Sequence, residues 1–72
     1  MSGKEDLFEF KKDGKTVKVY KGEGSSDVYY KVNDGSSTSA GLKYNGDQGN
    51  FKSGSGSSLT WEKAKELVRD KI

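Results

Sequence analysis

The 72-residue sequence contains no cysteine, histidine or proline, and the first two absences exclude whole classes of chemistry. Without cysteine there is no disulfide framework and no thiolate metal site. Without histidine the chain lacks the commonest general base and the commonest metal ligand. Its carboxylates and lysines fall mostly in predicted turns or on the solvent side of a predicted helix. We therefore expect no enzymatic activity, no bound metal and no cofactor.

Apolar residues are also scarce, at 29% of the chain, and no apolar run approaches the length of a membrane span. A chain of this length forms one domain near the lower size limit for a stable core. We expect a soluble, cytoplasmic monomer that does not contact membranes. The net charge of +2 falls far short of the excess that by itself indicates a nucleic-acid partner.

Alternating apolar and polar residues predict a hairpin close to the N-terminus, after a polar segment, residues 1–6, that we expect to be disordered. Strands at about 7–12 and 15–20 flank Asp13-Gly14, a pair typical of a type I′ turn. The register set by that turn places apolar pairs on one side and an opposite-charge pair on the other. These pairs are Phe10–Val17, Phe8–Val19 and Glu9–Lys18.

The C-terminal segment predicts an amphipathic helix over about 60–71, with Thr60 as its N-cap. Its apolar stripe indicates burial against a sheet, with Trp61 and Leu67 in the core. Residues 54–58, rich in glycine and serine, resemble a flexible linker that leads into this helix.

Between the hairpin and the linker, further strands are predicted at about 27–32, 38–44 and 50–53, the last at an edge. The sequence therefore predicts an α+β fold in a single domain, residues 7–72. Its architecture is a small antiparallel β-sheet or SH3-like half-barrel of four to five strands, built from two hairpins and capped by one C-terminal helix.

The side of the predicted sheet opposite the core combines aromatic rings with positive charge. In the predicted register it carries five outward side chains: Lys18, Tyr20, Tyr29, Lys31 and Lys43. Such surfaces are typical of proteins that stack single-stranded nucleic acid on the rings while lysines contact phosphates. The same residues are also common in ordinary strands, where tyrosine is favoured and lysine prevents edge-to-edge association.

Parts of this pattern resemble three nucleic-acid-binding families. Residues 28–32 (Val-Tyr-Tyr-Lys-Val) and 42–44 (Leu-Lys-Tyr) resemble the DNA-contacting strands of small archaeal chromatin proteins with an SH3-like barrel, although this chain is far less basic. Leu59-Thr60-Trp61 before a helix is similar to single-strand-binding transcriptional coactivators. A three-stranded sheet followed by a Thr-capped helix resembles the arm-binding domains of tyrosine recombinases. These resemblances imply that the sheet face is the contact surface, by analogy of fold alone.

We predict a small non-enzymatic module that contacts nucleic acid through this sheet face, weakly and largely without sequence preference. The alternative is a protein–protein interaction module, or a designed scaffold with no natural ligand, which idealised turns and Gly/Ser connectors would suit. In the first of these, the edge strand at 50–53 would pair with a strand of the partner. The sequence does not distinguish DNA from RNA, single from double strands, or a closed barrel from an open sheet.

Overall fold

The computed structural model describes residues 4–46 and 49–72. Within them, six antiparallel strands form one sheet in which each strand pairs with its neighbours in the chain. The elements are β1 (Lys4–Lys12), β2 (Lys15–Gly22), β3 (Asp27–Val32), β4 (Thr38–Asn45), β5 (Asn50–Ser53), β6 (Ser58–Leu59) and helix α1 (Trp61–Arg69). The α+β half-barrel with one C-terminal helix is therefore confirmed, with one strand more than the predicted maximum.

The sheet is strongly curled, as the contact between β1 and β5 shows. Strands four places apart in a flat sheet are separated by about 19 Å, yet the ring centroids of Phe8 and Phe51 are only 5.7 Å apart. Trp61, the first residue of α1, lies against both rings, at 4.9 Å from Phe51 and 5.9 Å from Phe8. The concave side of the sheet is thus the core, and α1 closes its opening.

The β1–β2 hairpin has the predicted turn and the predicted register. Asp13 and Gly14 both have positive φ, 53° and 78°, as a type I′ turn requires. The three predicted cross-strand pairs are present. β1 begins at Lys4 rather than at residue 7, and a bulge between Asp6 and Phe8 separates this extension from the predicted strand. Residues 1–3, also predicted to be disordered, lie outside the described residues.

Residues 54–58 form a tight turn and the start of a strand instead of a flexible linker. The Ser53 N–H donates to the Ser57 carbonyl at 2.8 Å, and the Gly56 N–H donates to the Ser53 carbonyl at 2.9 Å. The turn returns the chain as β6, which pairs with β5 on the side away from β4. The prediction that 50–53 is an edge strand is therefore wrong, because β5 has a neighbour on each side.

Helix α1 begins at the predicted cap and ends at Arg69, two residues before the predicted end. The Thr60 hydroxyl accepts a hydrogen bond from the Lys63 N–H at 3.0 Å, which confirms the N-cap. The predicted burial of Trp61 holds only in part, since its side chain is 40% exposed. One edge of the indole packs on the core while its N–H donates to the Gly49 carbonyl at 2.8 Å near the surface.

The helical part of the described chain is the nine-residue α1. No helix in residues 4–46 and 49–72 is long and apolar enough to cross a membrane.

Phe51 is fully buried and contacts three other aromatic rings, so it is the position where truncation is expected to be most damaging. Replacing it by alanine should lower the free energy of unfolding by about 3–5 kcal/mol, through lost transfer energy and the cavity left behind. Urea unfolding followed by circular dichroism measures this loss. Ser58→Ala, an exposed change in the adjacent strand, is the control and should alter stability by less than about 0.5 kcal/mol. A comparable loss in the two variants would contradict a core centred on Phe51.

Candidate nucleic-acid interface

The convex side of the sheet, opposite the core, carries outward side chains from β2, β3, β4 and β5. We call this surface the outer face, and its residues are Lys18, Tyr20, Tyr29, Lys31, Lys43 and Lys52. The strand register pairs them directly across neighbouring strands, as Lys18–Lys31, Tyr20–Tyr29 and Lys43–Lys52. All five residues predicted from the sequence therefore lie on one side of the molecule, and Lys52 joins them.

Tyr20 is part of the outer face but is not an accessible ring. Only 7% of the residue is exposed, which corrects the prediction that both tyrosines of this surface offer rings for stacking. The Tyr29 ring stacks beside it with centroids 6.0 Å apart and planes inclined by 29°. The Tyr20 hydroxyl forms a hydrogen bond with the Ser37 hydroxyl, from the segment between β3 and β4. This tertiary contact covers Tyr20 and is invisible to strand alternation.

Tyr29 and Lys31 are half-buried, and each contacts the ring of Tyr20. The Lys31 ammonium lies 5.7 Å from the centroid of the Tyr20 ring, within the range of a cation–π interaction. The buried ring of Tyr20 therefore packs against the side chains of both Tyr29 and Lys31. Tyr29 remains the one tyrosine of the outer face that a base can reach.

Lys18 carries an ion pair with Asp34, which belongs to the turn after β3. Its Nζ is 3.5 Å from the Asp34 carboxylate, and the Asp34 side chain is 78% exposed. Exposed pairs of this kind contribute roughly 0.2–1 kcal/mol.

Asp34 occupies a backbone position that favours glycine. The Gly35 N–H donates to the Val32 carbonyl at 2.9 Å and closes a turn whose central residues, Asn33 and Asp34, have φ of 52° and 59°. Glycine is preferred at the second of these left-handed positions, and asparagine and aspartate are the other residues that adopt it most readily. The ion pair with Lys18 is exposed and therefore weak, so Asp34 adds little to stability.

Lys43 carries a shorter ion pair, with Asp27, that depends on a bulge in β4. The two side chains are hydrogen-bonded, with Nζ 2.7 Å from the carboxylate. The β3–β4 register shifts between Asp27 and Tyr29. Gly41, in the bulged segment with φ of 72°, would lie opposite Asp27 if the register continued unbroken. The bulge brings Lys43 there instead.

The Asp27–Lys43 pair shifts the titration of both groups. The hydrogen bond and the positive charge of Lys43 lower the pKa of Asp27. The same contacts raise the pKa of Lys43. Both side chains are about half exposed, so salt screens this pair.

Lys52 is the outer-face residue that sequence reasoning missed. It follows the fully buried Phe51, so alternation along β5 would have placed it outward. Lys52 and Lys43 border an open groove of about 350 Å³. The other residues that line this groove are Ser26, Tyr44, Asn45 and Gly46.

Taken together, the outer face presents two opposed lysine pairs on either side of an accessible tyrosine. Two of its lysines form ion pairs, Lys18 with Asp34 and Lys43 with Asp27, and Lys18 also lies opposite Glu9 of β1. Among the described residues, no group of three or more acidic side chains is placed to hold a metal ion. The chemistry available is therefore ring stacking and attraction of anions.

Comparisons with known proteins identify no relative of this chain. No protein-family model matches it, and no curated protein or solved structure matches it either.

The lowered pKa of Asp27 predicts a pH dependence of stability. A carboxyl group whose pKa is depressed by folding contributes stability above its unfolded value of about 3.9, and this contribution is lost as the pH falls through the lower folded value. An NMR titration of the Asp27 side chain should give a pKa below that ordinary value. In Lys43→Gln the pKa should return toward it, because the cause of the shift is removed. The same titration midpoint in the two proteins would contradict the pairing.

Proposed function

We propose that this protein is a non-enzymatic module that binds nucleic acid through its outer face, weakly and largely without sequence preference. The observation that supports the proposal is the direct opposition of Lys18 to Lys31 and of Lys43 to Lys52. Like charges opposite one another in a sheet are destabilising. A polyanion laid across the strands relieves this repulsion, and phosphate contacts of this kind carry no sequence information.

The position of Tyr29 suits a single strand. It lies between the two lysine pairs along β3, two residues from Lys31 on one side and two from Asp27, the partner of Lys43, on the other. At about 3.3 Å per residue, the two lysine pairs are roughly 13 Å apart along the strand direction, and the Tyr29 ring lies between them. In the bound state, Lys18, Lys31, Lys43 and Lys52 contact phosphates while Tyr29 stacks on a base. Tyr20 holds Tyr29 and Lys31 in place and does not itself touch the ligand.

Low net charge limits the strength of such binding. The chain has 13 basic and 11 acidic residues, and Asp27, Asp34 and Glu9 reduce the positive potential near the outer face. We therefore expect binding at low salt and steep weakening as salt rises, because association releases counterions.

Fluorescence anisotropy with a labelled oligothymidylate, over a series of salt concentrations, tests the proposal. Each phosphate contact contributes about −0.7 to the slope of log K against log salt for a single strand. Lys31→Gln and Lys43→Gln should each weaken binding and make the slope shallower by about that amount. Lys65→Gln, an equal change of charge on the exposed side of α1, is the matched control and should have no such effect. Equal losses in all three variants would refute the outer face as the site.

A second variant separates stacking from charge. Tyr29→Leu leaves the net charge unchanged and should reduce affinity by the free energy of one stacked base, about 1–3 kcal/mol, with an unaltered salt slope. Thermal unfolding of the variant checks that the sheet is intact. Unchanged affinity in a folded Tyr29→Leu protein would remove stacking from the mechanism.

The edge of β1 supports a second candidate function, binding of a protein strand. β1 is terminal in the strand order, so β2 is its one neighbour in the described sheet. A partner strand would add there by β-augmentation, rather than at 50–53. Such a partner would slow amide exchange along β1 and bind almost equally at low and high salt. The salt series therefore distinguishes the two candidates.

A further inference from the structure

The turn after β3 places a carboxylate beside Lys18, one member of an opposed lysine pair on the outer face. Asp34 lies 3.5 Å from the Nζ of Lys18, and Lys18 is opposite Lys31 in the register. This separation is too long for a good hydrogen bond. The carboxylate is therefore held near the lysine by charge alone and can be displaced by a stronger anion.

The turn is fixed in this position by bonds on either side of Asp34. The Asn33 N–H donates to the Thr16 carbonyl at 2.8 Å, and the Thr16 N–H donates to the Asn33 side-chain oxygen at 3.0 Å. Farther along, the hydroxyl of Ser37 is hydrogen-bonded to the hydroxyl of Tyr20. Asp34 is thus anchored beside the lysine pair by its neighbours, independently of its own ion pair.

We infer that Lys18 and Lys31 form a binding site for a phosphate group, and that the carboxylate of Asp34 occupies this site in the free protein. Glycine or asparagine would suit this turn as well as aspartate does, so the turn by itself does not require a negative charge there. An acid there does lower the affinity of the lysine pair for other anions. The inference takes the role of Lys18 and Lys31 from the proposed function and adds Asp34 as the residue that limits affinity.

Asp27 does not fit this role as well. Its carboxylate is hydrogen-bonded to Lys43 at 2.7 Å, so a competing phosphate must break a directed contact. Its backbone lies in β3, and its φ is not among the positive values. The displaceable carboxylate is therefore the one on the turn.

Asp34→Asn tests the inference, because asparagine keeps the tolerance for positive φ and removes the charge. The probes are sodium tripolyphosphate and a short oligothymidylate, with amide shifts of Lys18 and Lys31 followed by NMR at low salt. Asp34→Asn should bind each probe about 1.4- to fivefold more tightly than the original chain, the factor that corresponds to one exposed ion pair.

Asp13→Asn is the matched control, since Asp13 also sits in a turn at positive φ and its loss changes the net charge equally. We expect no gain in affinity from it. Adding Lys18→Gln to Asp34→Asn should erase the gain, which a double-mutant cycle measures as coupling between the two residues. An equal gain in Asp13→Asn, or no gain in Asp34→Asn, would overturn the inference.

The two probes separate this inference from the proposed function. Tighter binding of tripolyphosphate by Asp34→Asn, with no binding of the oligonucleotide by any variant, would refute the proposed function and leave the phosphate site. Oligonucleotide binding that is identical in the original chain and in Asp34→Asn would refute the inference and leave the proposed function. Tripolyphosphate that shifts neither Lys18 nor Lys31 in Asp34→Asn would overturn the phosphate site.

Discussion

The structure depends above all on the aromatic contacts around Phe51. This residue is fully buried, and the rings of Phe8, Tyr44 and Trp61 meet it edge-on from β1, β4 and α1. A chain with so few apolar residues cannot build a thick core. Its fully buried side chains include Phe51, valines of β2 and β3, and Ala64 and Val68 of α1. The aromatic contacts mark where β1, β4, β5 and the helix converge on that core. The sheet curls because these elements converge, and the outer face is the convex side of the curled sheet.

The outer face contains lysines whose positive charges repel one another across neighbouring strands. Two lysine pairs are directly opposed across strands, and each is relieved by one carboxylate from a different structural source. For Lys43 that source is a bulge that alters the strand register, and for Lys18 it is a turn with two residues in the left-handed conformation. Both ion pairs therefore arise from local irregularities, whereas the regular register places Glu9 opposite Lys18. The bulge and the turn therefore determine which lysines of the outer face are ion-paired.

The sequence allowed the regular features to be predicted and hid the irregular ones. Alternation and the Asp13-Gly14 turn were enough for the first hairpin and its register, and Thr60 marked the start of the helix. Residues 54–58 looked like a linker because their serines and glycines bear no apolar pattern, although backbone hydrogen bonds fold them into a turn. The burial of Tyr20 depends on Ser37, and the Asp27–Lys43 pair depends on the bulge at Gly41. Neither can be read from periodicity, because the first arises from a loop that reaches a strand and the second from a shift in the register between two strands.

The strand order has a consequence for how this chain reaches its folded form. Each strand pairs with its neighbours along the chain, so the sheet is assembled from short loops whose closure costs little entropy. The packing of Phe8 against Phe51 and Trp61 is different, because it joins the beginning of the chain to its end. We expect hairpins to form early and this long-range step to come last. The pairing of charges on the outer face is then set by the hairpins before the aromatic side chains close the core.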